Sequence, residues 1–376
     1  MLFRSSLKAD LLLETEMLVR SWEQHEAAWL RDYLVAGVED PRFNLQSIVS
    51  RHFLINELAP GRFTGLMRQE YRFAAAMEWL LRGSGLLKDA EARHATLHAL
   101  RRGSDNAEGE EIPGFIVQTF ANLPVETDDC VIPNYLEAFL TRPTQGGDPA
   151  GTSETTLDTF GLAWQAVLQK HFPSPRAEPH LEGDTASDRE SAVLSENTSY
   201  TSPTLLEPAC GSANDYRFFH RYGLARLFHY TGFDLSQKNI ENARRLFPTT
   251  NFQAGNVFEI AAPSKSFDFC MVHDLFEHLS LAGLEQAVSE ICRVTRRGLC
   301  LGFFQMDEIP EHVVRPREQY YWNLLSLTRV KGLLASHGFT AQAIHMGSFL
   351  ARHTGCQYTH NPNAYVFIIR SKPAEG

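Results

Sequence analysis

No two of the six cysteines form a C-x-x-C pair; Cys130, Cys210, Cys270, Cys292, Cys300 and Cys356 are scattered over 376 residues. That spacing offers neither a zinc ribbon nor a dithiol redox motif. Cys270 and Cys300 lie in apolar runs, where a thiol behaves as a small buried hydrophobe, which suits a reducing compartment. Positive charge is also short: 35 Lys and Arg face 45 Asp and Glu, a net charge of -10. Such a surface repels phosphate backbones, so nucleic acid is not an expected partner. No apolar run approaches the roughly 20 residues that a membrane-crossing helix needs. The opening stretch MLFRSSLKADLLLETEM interrupts its apolar part with acids and has no small-residue cleavage site of a secretory leader. A membrane is therefore not expected as partner, and the cytoplasm is the expected location. Internal repeats are missing too. An apolar fraction of 43% nonetheless suffices for an ordinary globular core and excludes whole-chain disorder.

Composition divides the chain into a helical N-terminal region (1–172), a linker (173–203) and an alternating strand–helix region (204–376). The linker, Pro173 to Pro203, is rich in Pro, Ser, Thr and acids and poor in aromatics, so it cannot bury enough apolar surface to offset ordering. Before it, Leu11, Leu18, Trp22, Trp29 and Tyr33 recur at helical spacing. FTGLMRQEYRFAAAMEWLLRGSG reads as a second helix stopped by Gly83 and Gly85, and LDTFGLAWQAVLQKHF as another. GDPAGTSETT and RRGSDNAEGEEIPG read as loops. These helices would act as a lid or docking surface. After the linker, short apolar strands separated by helices predict a parallel sheet covered on both faces. The last two strands, TAQAIHM and AYVFIIR, show no helix between them and predict an antiparallel pair at the sheet edge.

The first strand–turn–helix of that region is LLEPACGSANDYRFF. In a doubly wound sheet, ligands bind beyond the C-terminal ends of the strands, beside the first of them. A dinucleotide loop needs three glycines so that backbone can approach a pyrophosphate, and here only Gly211 is glycine. A ligand presenting a carboxylate and an ammonium group asks less of the turn, and S-adenosylmethionine is such a ligand. Glu207 would approach its ammonium, and Gly211 would admit the methionyl part. Ser212 is a candidate N-cap, with Asp215 three residues on. Twenty-three residues after Gly211, Asp234 ends the second strand, where a carboxylate can accept from both ribose hydroxyls; Ser236 then caps the next helix. After the third strand, Asn256 and Val257 would meet the adenine edge and ring.

In this order the motifs resemble the class I S-adenosylmethionine-dependent methyltransferases of the methyltransferase-domain type. EPACGSA is similar to their first motif, with alanine in place of later glycines. GFDLS, AGNVFE, FDFCMVHDLFEHLS and CRVTRRGLCLGFF are similar to the four that follow. The resemblance spans roughly Leu205 to Arg370. It implies a Rossmann-like α/β sheet, doubly wound, with an antiparallel last strand and the helical region in front. It also implies a cofactor pocket lined by Glu207, Ala209, Gly211, Asp234, Leu235, Asn256, Val257 and His273, with Asp274 beside it.

Methyl transfer needs alignment, desolvation and a deprotonated acceptor. Asp274, Glu277 and His278 stand at i, i+3 and i+4, so a short helix would turn them to one side. Three readings remain open: a structural role; His278 as general base supported by Asp274 and Glu277; and a divalent metal, since D-x-x-E-H is similar to the E-x-x-E-H segment of some metal-assisted O-methyltransferases, a reading not favoured because Asp274 is shorter than the first glutamate of that segment. His312 is a further catalytic candidate. HDLF is not the N/D-P-P-Y/F motif of base N-methylation. The long segment after the fifth strand carries Arg315, Arg317, Tyr320, Tyr321 and Trp322, which could bind an acceptor, the arginines favouring a carboxylate or phosphate. GSFLARHTGCQYTHNPN, with His353 and His360, is another candidate wall. The expected function is methylation of a small-molecule acceptor, at oxygen, with S-adenosylmethionine. The alternatives are a non-catalytic methyltransferase-like scaffold and a nicotinamide-dependent oxidoreductase.

Overall fold

Seven short segments after residue 203 pair into one sheet: β1 Thr204–Pro208, β2 His229–Asp234, β3 Asn251–Ala254, β4 Phe267–His273, β5 Thr295–Phe303, β6 Phe339–His345 and β7 Tyr365–Ser371. The structure is a computed structural model that describes residues 7–20, 44–79, 106–107, 110–111, 114, 159–173, 202–359 and 361–371. Most of the expected linker, the positions of Trp22, Trp29, Tyr33, Gly83 and Gly85, the loop 147–156, and His360 lie outside the described residues.

The strand order is β3-β2-β1-β4-β5-β7-β6. The first five strands are parallel, and β7 runs antiparallel between β5 and β6. The expected Rossmann-like sheet with its antiparallel last strand is therefore present. Helices join the strands: α5 Asn214–Arg221, α6 Gln237–Leu246, α7 Leu281–Val294, α8 Leu327–Ser336 and α9 Met346–Thr354. In front of the sheet in sequence come α1 (7–20), α2 Leu45–Leu58, α3 Thr64–Glu78 and α4 Thr159–His171.

Alternation along the strands sorts side chains into two layers, as the period of two in a strand requires. Leu205, Phe269, Met271, Cys300, Val366 and Ile368 join one apolar cluster with residues of α2, α3, α4, α5, α6 and α9. Their neighbours Leu206, Cys270, Val272, Leu299, Leu301, Phe367 and Ile369 join the other, with residues of α7 and α8 and with Leu11 and Leu18 of α1. Of the N-terminal helices, expected as a lid or docking surface, α2, α3 and α4 thus help to cover one face of the sheet and α1 packs on the other.

Several elements differ from the sequence reading. Helix α2 was not anticipated, because Leu45 to Ile55 are all buried and its polar residues Gln46, Ser50, Arg51 and His52 face protein rather than water; no polar stripe marks it. Asn44 caps it, accepting from the backbone N–H of Gln46 at 3.0 Å and of Ser47 at 3.3 Å. Inside the layer, Glu70 of α3 accepts from Arg51 (3.1 Å), His52 (2.6 Å) and the Trp164 indole (2.6 Å), locking α2, α3 and α4 together. Helix α9 interrupts the last two strands, where no helix was expected; the His345 side chain caps it and Gly355, at φ 82°, closes it. Ser212 does not cap α5: Ala213 does, in left-handed conformation and without a side-chain bond. The turn takes one more residue than expected, Ser212 bonds Asn239, and Asp215 is drawn to His273. In the expected loop 101–114, Asn106–Ala107 pairs with Glu110–Glu111.

Candidate functional site

The C-terminal ends of β1, β2 and β4 bring the sequence candidates to one edge. Glu207, the fourth residue of β1, is 3% exposed and accepts the Tyr230 hydroxyl at 2.6 Å. Burial, reinforced by the nearby Asp215 carboxylate, pushes its pKa up to about 8. The turn after β1 then takes three left-handed residues, Ala209 at φ 57°, Gly211 at 54° and Ala213 at 67°. Two alanines therefore hold conformations that glycine adopts freely. Asp234 closes the turn: one carboxylate oxygen accepts the Gly211 N–H at 3.0 Å, the other the Ser236 N–H at 2.8 Å and the Asn239 amide at 3.1 Å. A carboxylate offers about four lone-pair sites, so one remains. The expected acceptance from two ribose hydroxyls narrows to one, unless the turn gives up a bond. Burial raises the pKa of Asp234, against the pull of those donors. Leu235, next in sequence, is half-buried.

Asn256 and Val257 are half-buried after β3. The Asn256 amide donates to the Thr15 hydroxyl at 3.0 Å, and its carbonyl oxygen takes the Phe258 N–H at 2.9 Å. The residue before Thr15, Glu14, takes the Ser280 N–H at 2.5 Å and the Ser280 hydroxyl, at the N-terminus of α7, where helix amides favour a carboxylate. Helix α1 is thus tied to the adenine-side candidates, a contact that sequence spacing does not disclose.

His273 was expected to line the pocket, but its ring is engaged in protein. Nδ1 lies 2.9 Å from Asp215 and Nε2 2.6 Å from the Ser50 hydroxyl of α2. Burial pulls the imidazole pKa down, yet Asp215 outweighs it and leaves the pKa well above the ordinary range. The imidazolium donates at both ends, and the Ser50 hydroxyl in turn donates a hydrogen bond to the Gln46 carbonyl at 2.9 Å. Gly302 makes this fit: a Cβ there would stand 2.6 Å from the ring.

Asp274, Glu277 and His278 do not face one side. The segment Phe276–His278 is a 3-10 turn, tighter than the α-helix assumed for the spacing. Asp274 is exposed at φ 51°, whereas Glu277 is fully buried. One Glu277 oxygen accepts the N–H groups of Phe304 (2.7 Å) and Gln305 (3.1 Å) beyond β5. Burial, then the Asp274 charge, pushes its pKa up to about 8. Through these bonds Glu277 holds the segment beyond β5 against the 3-10 turn. His278 is half-buried, with Nδ1 3.2 Å from the Tyr321 carbonyl. Since a carbonyl only accepts, Nδ1 carries the proton and Nε2 a lone pair. Its ring centroid lies 5.2 Å from Phe304, 5.6 Å from Tyr320 and 5.4 Å from Trp322. Burial lowers its pKa.

The other catalytic candidate, His312, accepts the Ser326 N–H on its Nδ1 at 3.0 Å, before α8. His353 is exposed beside Phe349. Among the described residues no group of three His, Cys, Asp or Glu side chains could hold a metal ion. No described helix is long and apolar enough to cross a membrane.

Residues 206–301 match the family model described as "Methyltransferase domain". The match lies within the C-terminal half and supports a methyltransferase domain there. No curated protein matches the chain. Similar solved structures include a protein of Pyrococcus horikoshii, 21% identical with a TM-score of 0.34, over 46% of this chain and 84% of that one. A second is an S-adenosylmethionine-dependent methyltransferase from Mesorhizobium loti, 14% identical with a TM-score of 0.36, over 46% of this chain and 92% of that one. A third is a Burkholderia thailandensis 1,6-didemethyltoxoflavin-N1-methyltransferase, 15% identical with a TM-score of 0.34, over 56% of this chain and 77% of that one.

S-adenosylmethionine is the cofactor of such a domain, and the residues at the methyltransferase turn fit it. Glu207 is a buried carboxylate held near-neutral, to which an ammonium group would restore the missing counter-charge. Gly211 combines left-handed backbone with an Asn214 amide 3.3 Å from where a Cβ would stand, so a larger residue there would be strained and would press on that amide. Tyr230, Gln46, Ser50, Thr15 and Phe304 went unnoticed in sequence. For Tyr230 a signal existed: Gly232, the register partner of Glu207, leaves room that its hydroxyl fills.

Proposed function

We propose that the chain transfers a methyl group from S-adenosylmethionine to a hydroxyl oxygen of a small molecule, with His278 as the base. The observation that carries this reading is the Nδ1 bond of His278 to the Tyr321 carbonyl, which leaves Nε2 unprotonated in a half-buried aromatic setting. When bound, the cofactor supplies a methyl on a sulfonium: the acceptor oxygen forms the new bond to carbon, the carbon–sulfur electron pair stays on sulfur, and the hydroxyl proton passes to His278. Glu207 and the turn through Gly211 would hold the amino-acid end, and Asp234 one ribose hydroxyl. Asn256 and Val257 would lie at the adenine. Glu277 keeps the rim in register, and Asp274 stands exposed at the mouth.

The depressed pKa of His278 keeps its neutral form into mildly acidic solution, which a base requires. Turnover should fall on the acid side only below pH 6.5, the ordinary imidazole value. His278→Gln should reduce kcat by roughly a hundredfold while calorimetric affinity for S-adenosylhomocysteine stays the same. Undiminished turnover in that variant removes the base assignment. Binding heat that is missing, or unaltered by Asp234→Ala, removes the methyltransferase reading itself.

A further inference from the structure

The segment after β5 is a hairpin with a defined register. Val313 and Leu324 exchange both backbone bonds, at 2.9 and 3.1 Å; the Trp322 N–H donates to the Arg315 carbonyl at 2.9 Å, and the Arg317 N–H to the Tyr320 carbonyl at 2.7 Å. Pro316 pairs with Tyr321 in the same antiparallel sense. Directly opposed residues of an antiparallel ladder share a face, and alternate residues share it too. Arg315 with Trp322, and Arg317 with Tyr320, therefore stand on one face. The His278 ring touches Tyr320 and Trp322, and Phe304 lies against both His278 and Trp322. Both arginines are exposed on that face, and neither is bonded to a carboxylate among the described residues. The outer edge of the hairpin is fixed to the site by the Tyr321 N–H on the His278 carbonyl and the Asn323 N–H on the Glu277 carbonyl, at 3.2 and 3.0 Å. Aromatic rings, a neutral imidazole and two cations are thus presented together on a braced support.

We infer that the acceptor is a planar aromatic ring carrying both the hydroxyl to be methylated and an oxyanion, the ring lying against Tyr320, Trp322 and Phe304 beside His278, and the oxyanion meeting Arg315 and Arg317. Flat rings gain from offset or edge contacts with such walls. Guanidinium groups bind carboxylate and phosphate oxygens through paired N–H donors, which orients the ring as well as holding it. Opposed pairs about 5 Å apart put both guanidinium stems within a side-chain length of a ligand on that face.

This rests on the methyltransferase reading, and its test separates the two. The full chain, saturated with S-adenosylhomocysteine, is titrated calorimetrically with hydroxybenzoates, hydroxynaphthoates and hydroxyphenyl phosphate, with their neutral methyl esters, and with aliphatic hydroxy acids. At least one anionic aromatic probe should bind roughly tenfold or more tightly than its neutral ester, a difference of one charge-assisted contact. Arg315→Gln combined with Arg317→Gln should erase that preference and leave affinity for S-adenosylhomocysteine intact, which also reports that the variant is folded. Carboxylate and phosphate probes distinguish which oxyanion is taken. The inference is overturned if esters and acids bind alike, if aliphatic hydroxy acids bind as well as aromatic ones, or if the double variant keeps the preference. Failure to bind S-adenosylhomocysteine at all sinks the methyltransferase reading first, and this inference with it.

Discussion

At the scale of single residues, two carboxylates carry the most informative electrostatics, and they differ in what could relieve them. Glu207 is held near pKa 8 by burial and by Asp215. At pH 7 it is mostly protonated, so a ligand that brings an ammonium group beside it should pull the pKa down and expel the proton. Titrating S-adenosylhomocysteine in two buffers of unlike ionisation enthalpy should reveal release of most of one proton at pH 7 and little above pH 9. Glu207→Gln should abolish the release. Heats independent of buffer would show that this carboxylate does not meet the ligand. Glu277, also raised to about 8, is fully buried, and its titration bears on folding. Its unfolded value is near 4.5, so its contribution to stability is complete below that and declines as pH rises towards 8. Glu277→Gln keeps an acceptor for the Phe304 and Gln305 amides. The variant should therefore lose less stability than the parent chain between pH 6 and pH 8.5, as read from urea midpoints; an equal loss would mean that Glu277 is ionised in the fold.

At the scale of elements, the turn through residues 209–213 joins sequence to site. A family resemblance with alanine for glycine left the conformation of that turn open; in the structure Ala209 and Ala213 simply adopt the left-handed backbone. A Cβ there is strained by about 1–2 kcal/mol, partly offset because glycine loses more entropy on folding. Ala213→Gly, at a fully buried position, should stabilise the chain by about 0.5–1 kcal/mol in urea unfolding. A destabilised variant would show that the Ala213 methyl packs more than it strains. Strands were legible because their apolar runs are short, β-branched or aromatic, and punctuated: FDFCMVH is β4 to the residue. The order of the turn, Asp234 and Asn256 was legible for the same reason, since each follows a strand end. Helix α2 was not, because burial on every side removes the periodicity that announces a helix. The grouping of Asp274, Glu277 and His278 failed because spacing specifies a face only once the helix type is known, and a 3-10 turn rotates residues differently. Nor does any local signal connect Thr15 to Asn256, which are 241 positions apart.

At the scale of the whole molecule, the N-terminal helices decide whether the methyltransferase sheet can stand alone. Helix α2 lies on β5 and β7: the Gln46 amide donates to the Phe303 carbonyl at 2.9 Å and to the Tyr365 carbonyl at 3.3 Å, and Phe53 meets Phe269 edge-on at 6.0 Å. The same helix supplies Ser50 to the His273–Asp215 pair, so the end of β4 is set partly by a segment more than 200 residues earlier in the chain. Without these helices Leu205, Phe269, Met271, Cys300, Val366 and Ile368 would lose much of their cover. At about 1.5–3 kcal/mol for each large side chain, that exposure approaches the whole stability of a typical domain, about 5–15 kcal/mol. A chain beginning at residue 202 should therefore lack a cooperative urea transition and a near-ultraviolet circular dichroism signal, whereas the full chain shows both. If the truncated chain unfolds cooperatively and still binds S-adenosylhomocysteine, the helices are an added layer and not part of the folding unit. The buried charge sharpens the same expectation: with α2 deleted Glu70 loses both Arg51 and His52 and keeps only the neutral Trp164 donor among these three, so a chain that retains α3 and α4 without α2 should also lack a cooperative urea transition.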